Sequence, residues 1–360
     1  MAYPTYPVND ANAVAHWSKF LSKSARDTTP IAPLMGTDAN SIIQVKTETQ
    51  KDKGDNVTFS LLARLAGDGF SEGETAIGNA EAMSLYAQTV TINEIGSTCA
   101  PPSQHSIDHQ RIPFNLRAEA KELLGLWFGE RYAKWFFNQV CGYTPQTDSK
   151  YYGFNAPVAP TSGRQLWADA GSDGNNGDED LASDDTFDLQ LFDQAAELAQ
   201  IGAPMVRPVK VSGEDMYVCY LHNYQVTSLR TNTSTGQWLD IQKAAMNGGK
   251  VTDNPIFTGA LGVYNGVVIR KSQDVTQGVH SSTGVAQSSV RRAVLLGAQA
   301  MVMAFGKDKR VGSYRWTEEL IDHKRKLEVG GWTFAGGVKT KFNSADFGTV
   351  VISTYAAAAA

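Results

Sequence analysis

The sequence predicts an α+β fold. Three features carry that expectation: paired β-rich runs near the start, one long aromatic helix after them, and strand-like sequence returning at the end. A mixed portion of helices and strands lies between the early strand pair and the returning strands.

Residues 1–45 hold one short helix-capable piece, DANAVAHWSKFLSKSA, flanked by prolines and a glycine. It supplies no evident core and is expected as an extended arm, its polar start held by a neighbour. Residues 56–65 (NVTFSLLARL) and 86–95 (YAQTVTINEI) are rich in β-formers. The glycine-rich acidic segment GDGFSEGETAIGN lies between them, so together they describe a long hairpin with an adaptable tip. A lone two-stranded hairpin is marginal in water, so this one is expected to lie on another surface.

A helix follows, with Asn115 as N-cap, residues 116–141 as its body and Gly142 as its stop. Its body spans roughly 39 Å. Leu116, Ala120, Leu123, Leu124, Trp127, Phe128 and Trp135 recur at spacings of three and four, marking its buried face. Gly125 and Gly129 each weaken an isolated helix by about 1 kcal/mol relative to alanine, so packing must hold it.

Residues 169–197 carry ten acids and no Lys or Arg, first as a Gly/Asn loop and then as a helix, TFDLQLFDQAAELAQIG. Phe187, Leu191, Ala195 and Leu198 fall on one face of that helix. A strand pair, 216–226 and 262–272, brackets a helix ended by Gly248-Gly249. A second apolar helix is expected from about Val290 to Phe305, before strands at 330–342 and 347–355.

With 360 residues, 42% of them hydrophobic, the chain is long enough for two domains with sizeable cores. A net charge of −5 argues against a surface built wholly to grip phosphates. Three cysteines, Cys99, Cys141 and Cys219, form no CxxC, which suits a reducing environment. The N-terminal residues lack a basic region followed by an apolar run, and the most apolar window, 293–306, is too short to span a bilayer. A soluble protein with no membrane partner is expected.

No chemistry-bearing motif holds up. GDGFSEG misses the dinucleotide spacing by one residue and leads to another strand, and its acids would repel phosphate. There is no GxxxxGK[ST], GxSxG or HExxH. Cys99, His105 and His109 sit among prolines without a clearly spaced fourth metal ligand. Cys219 and His222 lie three apart on a strand-like run and should point to opposite faces. Asp169, Asp173, Gly174 and Asp180 fall at four EF-hand positions, but Gly171 breaks the pattern; a solvated acidic face is the default. No catalytic residue, cofactor or metal is expected. From Arg291 to Lys341 there are eleven Lys or Arg against five acids, an excess suited to the acidic segment of a neighbour. An arm, a projecting hairpin and segregated charge make most sense in an assembly.

Four stretches carry a resemblance: GNAEAMSLYAQTVTINEI, RPVKVSGEDMYVCYLHNYQVTSLR, NPIFTGALGVYNGVVIRKS and RRAVLLGAQAMVMAFG. With the order of elements, they resemble the major capsid proteins of tailed bacteriophages, more specifically the family typified by coliphage N-four. His222-Asn223 departs from the His-Pro of many relatives and affects local turn geometry. The resemblance implies the Hong Kong 97 fold: an N-arm (1–45), an E-loop hairpin (46–98), a peripheral domain (99–182) with spine helix 115–142 and the acidic loop, an axial domain (183–312), and return strands (313–360). It implies a self-assembling icosahedral shell of hexamers and pentamers around double-stranded DNA, bound without sequence specificity. Scaffolding protein, portal and a decoration or cement protein are the implied partners. Folding and assembly would take place in the host cytoplasm, and the product would be the virion capsid. Asp68, Phe70, Glu72 and Glu74 at the hairpin tip, with Arg291, Arg292, Lys324, Arg325 and Lys326, are the candidate subunit-interface residues. The alternatives are a cellular nanocompartment shell of the same fold, and a metal-binding enzyme using Cys99, His105 and His109 or the acidic loop.

Overall fold

Local sequence signals account for where most elements begin and end. The computed structural model describes residues 11–46, 54–62, 69–73, 81, 83, 85–101, 116–168, 177–211, 213–232, 262–306, 314–323 and 326–358. Helix α1 (Ala11–Thr28) leads to short strands β1 (Met35–Gly36) and β2 (Ile43–Lys46). Next come β3 (Asn56–Leu62), β4 (Leu85–Thr91), β5 (Asn93–Cys99) and the long helix α2 (Leu116–Val140). The middle holds β6 (Gln165–Trp167), α3 (Gln190–Ile201), β7 (Val209–Val211), β8 (Glu214–Leu221) and α4 (Asn223–Thr231). Strands β9 (Val263–Tyr264), β10 (Val267–Lys271), β11 (Gln277–Val279), β12 (Ala286–Leu296) and β13 (Met301–Phe305) follow. The chain closes with β14 (Tyr314–Ile321), β15 (Lys326–Lys339), β16 (Lys341–Phe342), β17 (Ala345–Asp346) and β18 (Thr349–Tyr355).

Two sheets carry the fold. One is ordered β1-β2-β13-β15-β14, with β5 also paired to the long β15. The other runs β6-β18-β12-β8-β10-β9, with β11 on β12 and β7 on β8. Strands β8 and β10 are parallel, a pairing that needs a long crossover between them. The first of them stops at Leu221, however, so residues 223–226 of the expected strand belong to α4. His222 ends the strand by capping that helix: its Nδ1 accepts from the Tyr224 N–H, and the Gln225 side chain accepts from the His222 N–H. Gly248 and Gly249 lie outside the described residues.

The expected helix over 290–305 is two strands in two different sheets, β12 and β13. Ala293 and Leu295 pack with α3 and α4, whereas Val294 and Leu296 pack with Phe136, Phe137 and Val140 of α2. A strand apolar on both faces loses its two-residue alternation, and the run then resembles a buried helix. The break falls at 297–299. Gly297 approaches Arg207 so closely that a Cβ would sit 2.5 Å from its carbonyl oxygen, and Gln299 takes φ +56°.

Helix α2 ends as its sequence dictates. Gly142 adopts φ +64°, its N–H donates to the Gln139 carbonyl, and the Tyr143 N–H donates to that of Asn138. That is a Schellman stop. Ala120, Leu124, Phe128, Tyr132 and Trp135 are buried against β5, β13 and β15. Leu123, expected on the buried face, is 59% exposed. Asn115 lies outside the described residues.

The expectation that residues 1–45 supply no core needs correction. Leu21 and Ala25 of α1 are fully buried in the main core, Trp17 stacks on Trp316, and Ile43 of β2 is buried beside β13. The short apolar residues of α1 find their core on α2, which lies far away in sequence. Gly125 permits that approach: a Cβ there would sit 2.2 Å from Ser24 Oγ and 2.8 Å from its Cβ. Rotating the Ser24 hydroxyl relieves only the first clash. Gly125→Ala is therefore expected to lower subunit stability in a denaturant titration. The overpacking cost of about 1–3 kcal/mol outweighs a helix-propensity gain of about 1 kcal/mol.

Candidate functional site

The sequence candidates lie on the β3–β4 hairpin and in the basic late segment. The β3–β4 hairpin pairs Asn56 with Thr91 through to Leu62 with Leu85 and forms its own two-stranded sheet. Val57, Phe59 and Val90 face the body, joining Val302, Ala304, Phe342 and Phe347 in a third core cluster. Two amides fix its root. Asn155 donates to the Thr91, Gly153 and Gly337 carbonyls and accepts from the Thr91 N–H. Gln88 donates to the Lys339 carbonyl and accepts from the Lys341 N–H, each at 2.8 Å.

Away from that root the hairpin loses its support. Leu85 is 65% exposed, Met83 73% and Phe70 52%, and exposed Glu72 lies beside Phe70. Gly69 and Gly73 take φ +79° and +98°, conformations open to glycine. Asp68 and Glu74 lie outside the described residues. Exposed apolar side chains on a projecting element mark an interaction surface.

A second such surface covers the outer side of α1 and α2. Phe20, Leu123 and Leu126 are exposed there. Lys121 Nζ stands 5.3 Å from the Phe20 ring centre, and the Arg131 guanidinium 5.0 Å from that of Trp127 and 4.0 Å from that of Tyr151. The apolar and cationic groups are interleaved.

The remaining charged candidates separate by burial. Arg292 points inward: its Nε donates to Asp178 at 2.7 Å and its Nη1 donates to the Cys141 and Gly142 carbonyls. Asp178, drawn from the acidic segment expected to face solvent, is fully buried as a side chain. It also accepts from Gln165, Trp167 and the Val279 N–H. Arg292 thus holds the acidic segment to the end of α2 and is out of a neighbour's reach. Lys339 and Asp346 form a second buried pair at 3.0 Å. Burial pushes the Lys339 ammonium below its ordinary value, against the pull of Asp346. Lys326 is exposed and lies 3.6 Å from Asp322; Lys324 and Arg325 fall outside the described residues.

Most of the metal candidates cannot be placed against one another. His105, His109, Asp169, Asp173 and Gly174 lie outside the described residues, and Asp180 is exposed. Among the described residues no three His, Cys, Asp or Glu side chains are grouped to hold an ion. Nor is any described helix long and apolar enough to cross a membrane. Cys219 and His222 do not pair: burial pushes the Cys219 thiol well up, and His222 is engaged as a cap.

Burial, and then the nearby Arg291 charge, push the His222 pKa down to about 4. A histidine whose folded pKa lies below its unfolded value near 6.5 binds fewer protons in the folded state. Subunit stability is therefore expected to fall as pH drops from about 6.5 towards about 4. His222→Asn keeps a capping side chain and should flatten that part of the pH profile, as followed by thermal denaturation.

Comparison with known proteins now gives this geometry a context. A family model described as phage capsid protein matches residues 5–358. The chain is 26% identical over 373 residues to the major capsid protein of Pseudomonas phage KPP25, covering 95% of this chain and 94% of that one. The capsid of Ralstonia phage GP4 superposes with a TM-score of 0.73 at 30% identity, over 91% of this chain and 90% of that one. The cyanophage Pam1 capsid asymmetric unit superposes with a TM-score of 0.71 at 18% identity, over 91% and 92% of the two chains, and shares the fold.

Proposed function

Because the chain belongs to the phage capsid protein family, we propose a specific division of labour for a subunit that is a bacteriophage major capsid protein. It is a structural protein of the Hong Kong 97-type fold, not an enzyme, and a component of the virion shell. On our reading, hairpin residues 46–98 act as the E-loop, 99–182 and 313–360 form the peripheral domain around α2, and 183–312 form the axial domain. Residues 1–45 serve as the N-terminal region, with α1 docked on its own subunit. The four quoted stretches favour the coliphage N-four-type branch of this family.

The observation that carries this reading is the hairpin, fixed at its root and apolar beyond it. Its Phe70, Met83 and Leu85 dock on a neighbouring subunit, on the exposed Phe20, Leu123 and Leu126 surface of α1 and α2. Glu72 meets the Lys121 and Arg131 side of that surface. Subunits joined this way build hexamers and pentamers around double-stranded DNA, held without sequence-specific contacts. Portal, scaffolding and decoration proteins complete the assembly, which takes place in the host cytoplasm. The net charge of −5 suits a container that confines DNA without gripping it.

Electron microscopy of the purified protein tests this. Closed shells or shell fragments are expected. Only small particles under every condition, with stoichiometric bound metal, would overturn the assignment. A uniform cage loaded with host enzyme would point to a cellular compartment instead.

A further inference from the structure

Arg291 differs from its neighbour Arg292 in having no anionic partner among the described residues. It lies in β12 opposite Thr354 of β18, and its carbonyl accepts from Gln225 Nε2 at 3.1 Å. Its guanidinium stands 5.6 Å from the Tyr224 ring centre. Its Nε is buried and meets no acceptor among the described residues, and no described carboxylate lies within ion-pair distance of it. Burial depresses its pKa from the ordinary arginine value, opposed by Tyr224 and Tyr143. A half-desolvated guanidinium without an acceptor is costly, and its planar donor fork matches a carboxylate.

The chain also carries unmatched acids. Asp180 and Asp184 are exposed, and their carboxylates have no hydrogen bond or ion pair among the described residues. Asp185 and Asp188, close by in sequence, already accept from the Ala182 and Leu191 N–H groups. We propose that Arg291 is a docking point for a second copy of this chain, receiving the carboxylate of Asp180 or Asp184 from that copy. A nucleic acid strand fits less well. The Asp185 carbonyl accepts from the Tyr355 N–H beside Val290, bringing the acidic segment of the same chain close to Arg291. A strand of many phosphates meets that repulsion at every charge, whereas a single carboxylate meets it once.

The inference rests on the shell-subunit reading, and assembly of the unmodified protein under the same conditions tests that reading separately. Arg291→Glu is expected to slow assembly, followed by light scattering, about tenfold or more, because like charges at a close contact are strongly disfavoured. Combining it with Asp180→Lys and Asp184→Lys in one chain restores the charge match and should restore the rate. If Arg291→Glu assembles like the unmodified protein, or the triple variant stays folded yet does not recover, the proposal is wrong. If a charge variant fails to fold, Arg291→Cys combined with Asp180→Cys in one variant and with Asp184→Cys in another replaces it. An oxidised subunit-to-subunit ladder absent from the single variants is expected from one of the two, and no ladder from either overturns the docking. Loss of double-stranded DNA binding in Arg291→Glu, with assembly unchanged, would assign the site to phosphate and also overturn it.

Discussion

Asp178→Ala is expected to remove about 3–5 kcal/mol of subunit stability, a large share of the roughly 5–15 kcal/mol that a domain of ordinary stability possesses. The carboxylate is fully buried, and the Arg292 side chain opposite it is 5% exposed. Removing the acid leaves that guanidinium in the interior with only the Cys141 and Gly142 carbonyls for partners. It also strips acceptors from the Val279 N–H, Gln165 and Trp167. Denaturant unfolding of the unassembled subunit measures the loss. Arg292→Met in the same chain removes the stranded charge and should recover part of it, since a buried pair contributes less than either half costs alone. A loss below about 1 kcal/mol for Asp178→Ala would mean that water reaches the site and the pair is not structural.

The same pair shows where the sequence is legible and where it is not. The expected strands 56–65 and 86–95 correspond to β3 and to β4 plus the start of β5, the second run being split at Ile92 between two sheets, and α2 is legible from its stop at Gly142, because capping and β-propensity are local signals. Long-range placement is not local. Asp178 sits among ten acids that look like a solvated face, and only the folded chain brings Arg292, 114 residues away, to it. Residues 293–296 read as helix because the sheet is covered on both sides, a fact held in α2, α3 and α4 rather than in the run itself. Helix α1 looked coreless for the same reason, since its core is α2 and β14. Gln88 and Asn155 gave little warning. The one local hint is the left-handed pair before Asn155, Gly153 at φ +78° and Phe154 at φ +64°, which turns the chain so that the amide reaches the hairpin root.

Replacing Phe70, Met83 and Leu85 together by serine is expected to abolish shell formation while leaving the subunit folded. All three are exposed in the single subunit, so each change should alter its stability by no more than about 0.5 kcal/mol. Against a neighbour, burying each contributes about 1.5–3 kcal/mol. Losing even the lower value three times weakens one contact by more than about a thousandfold. A closed shell repeats that contact around every subunit, so the loss compounds instead of averaging out. Deleting Gly67–Gly78 should act in the same direction, for it removes Phe70 and Glu72 but spares the amide clamps at Gln88 and Asn155. Circular dichroism and thermal melting check the subunit, and light scattering with electron microscopy checks the shell. Shells forming at the normal rate from either variant would show that the hairpin is not an assembly element. Subunits that fail to fold would show instead that its distal part stabilises the chain it belongs to. The clamps argue against that second result, because they fix the root before the exposed part begins.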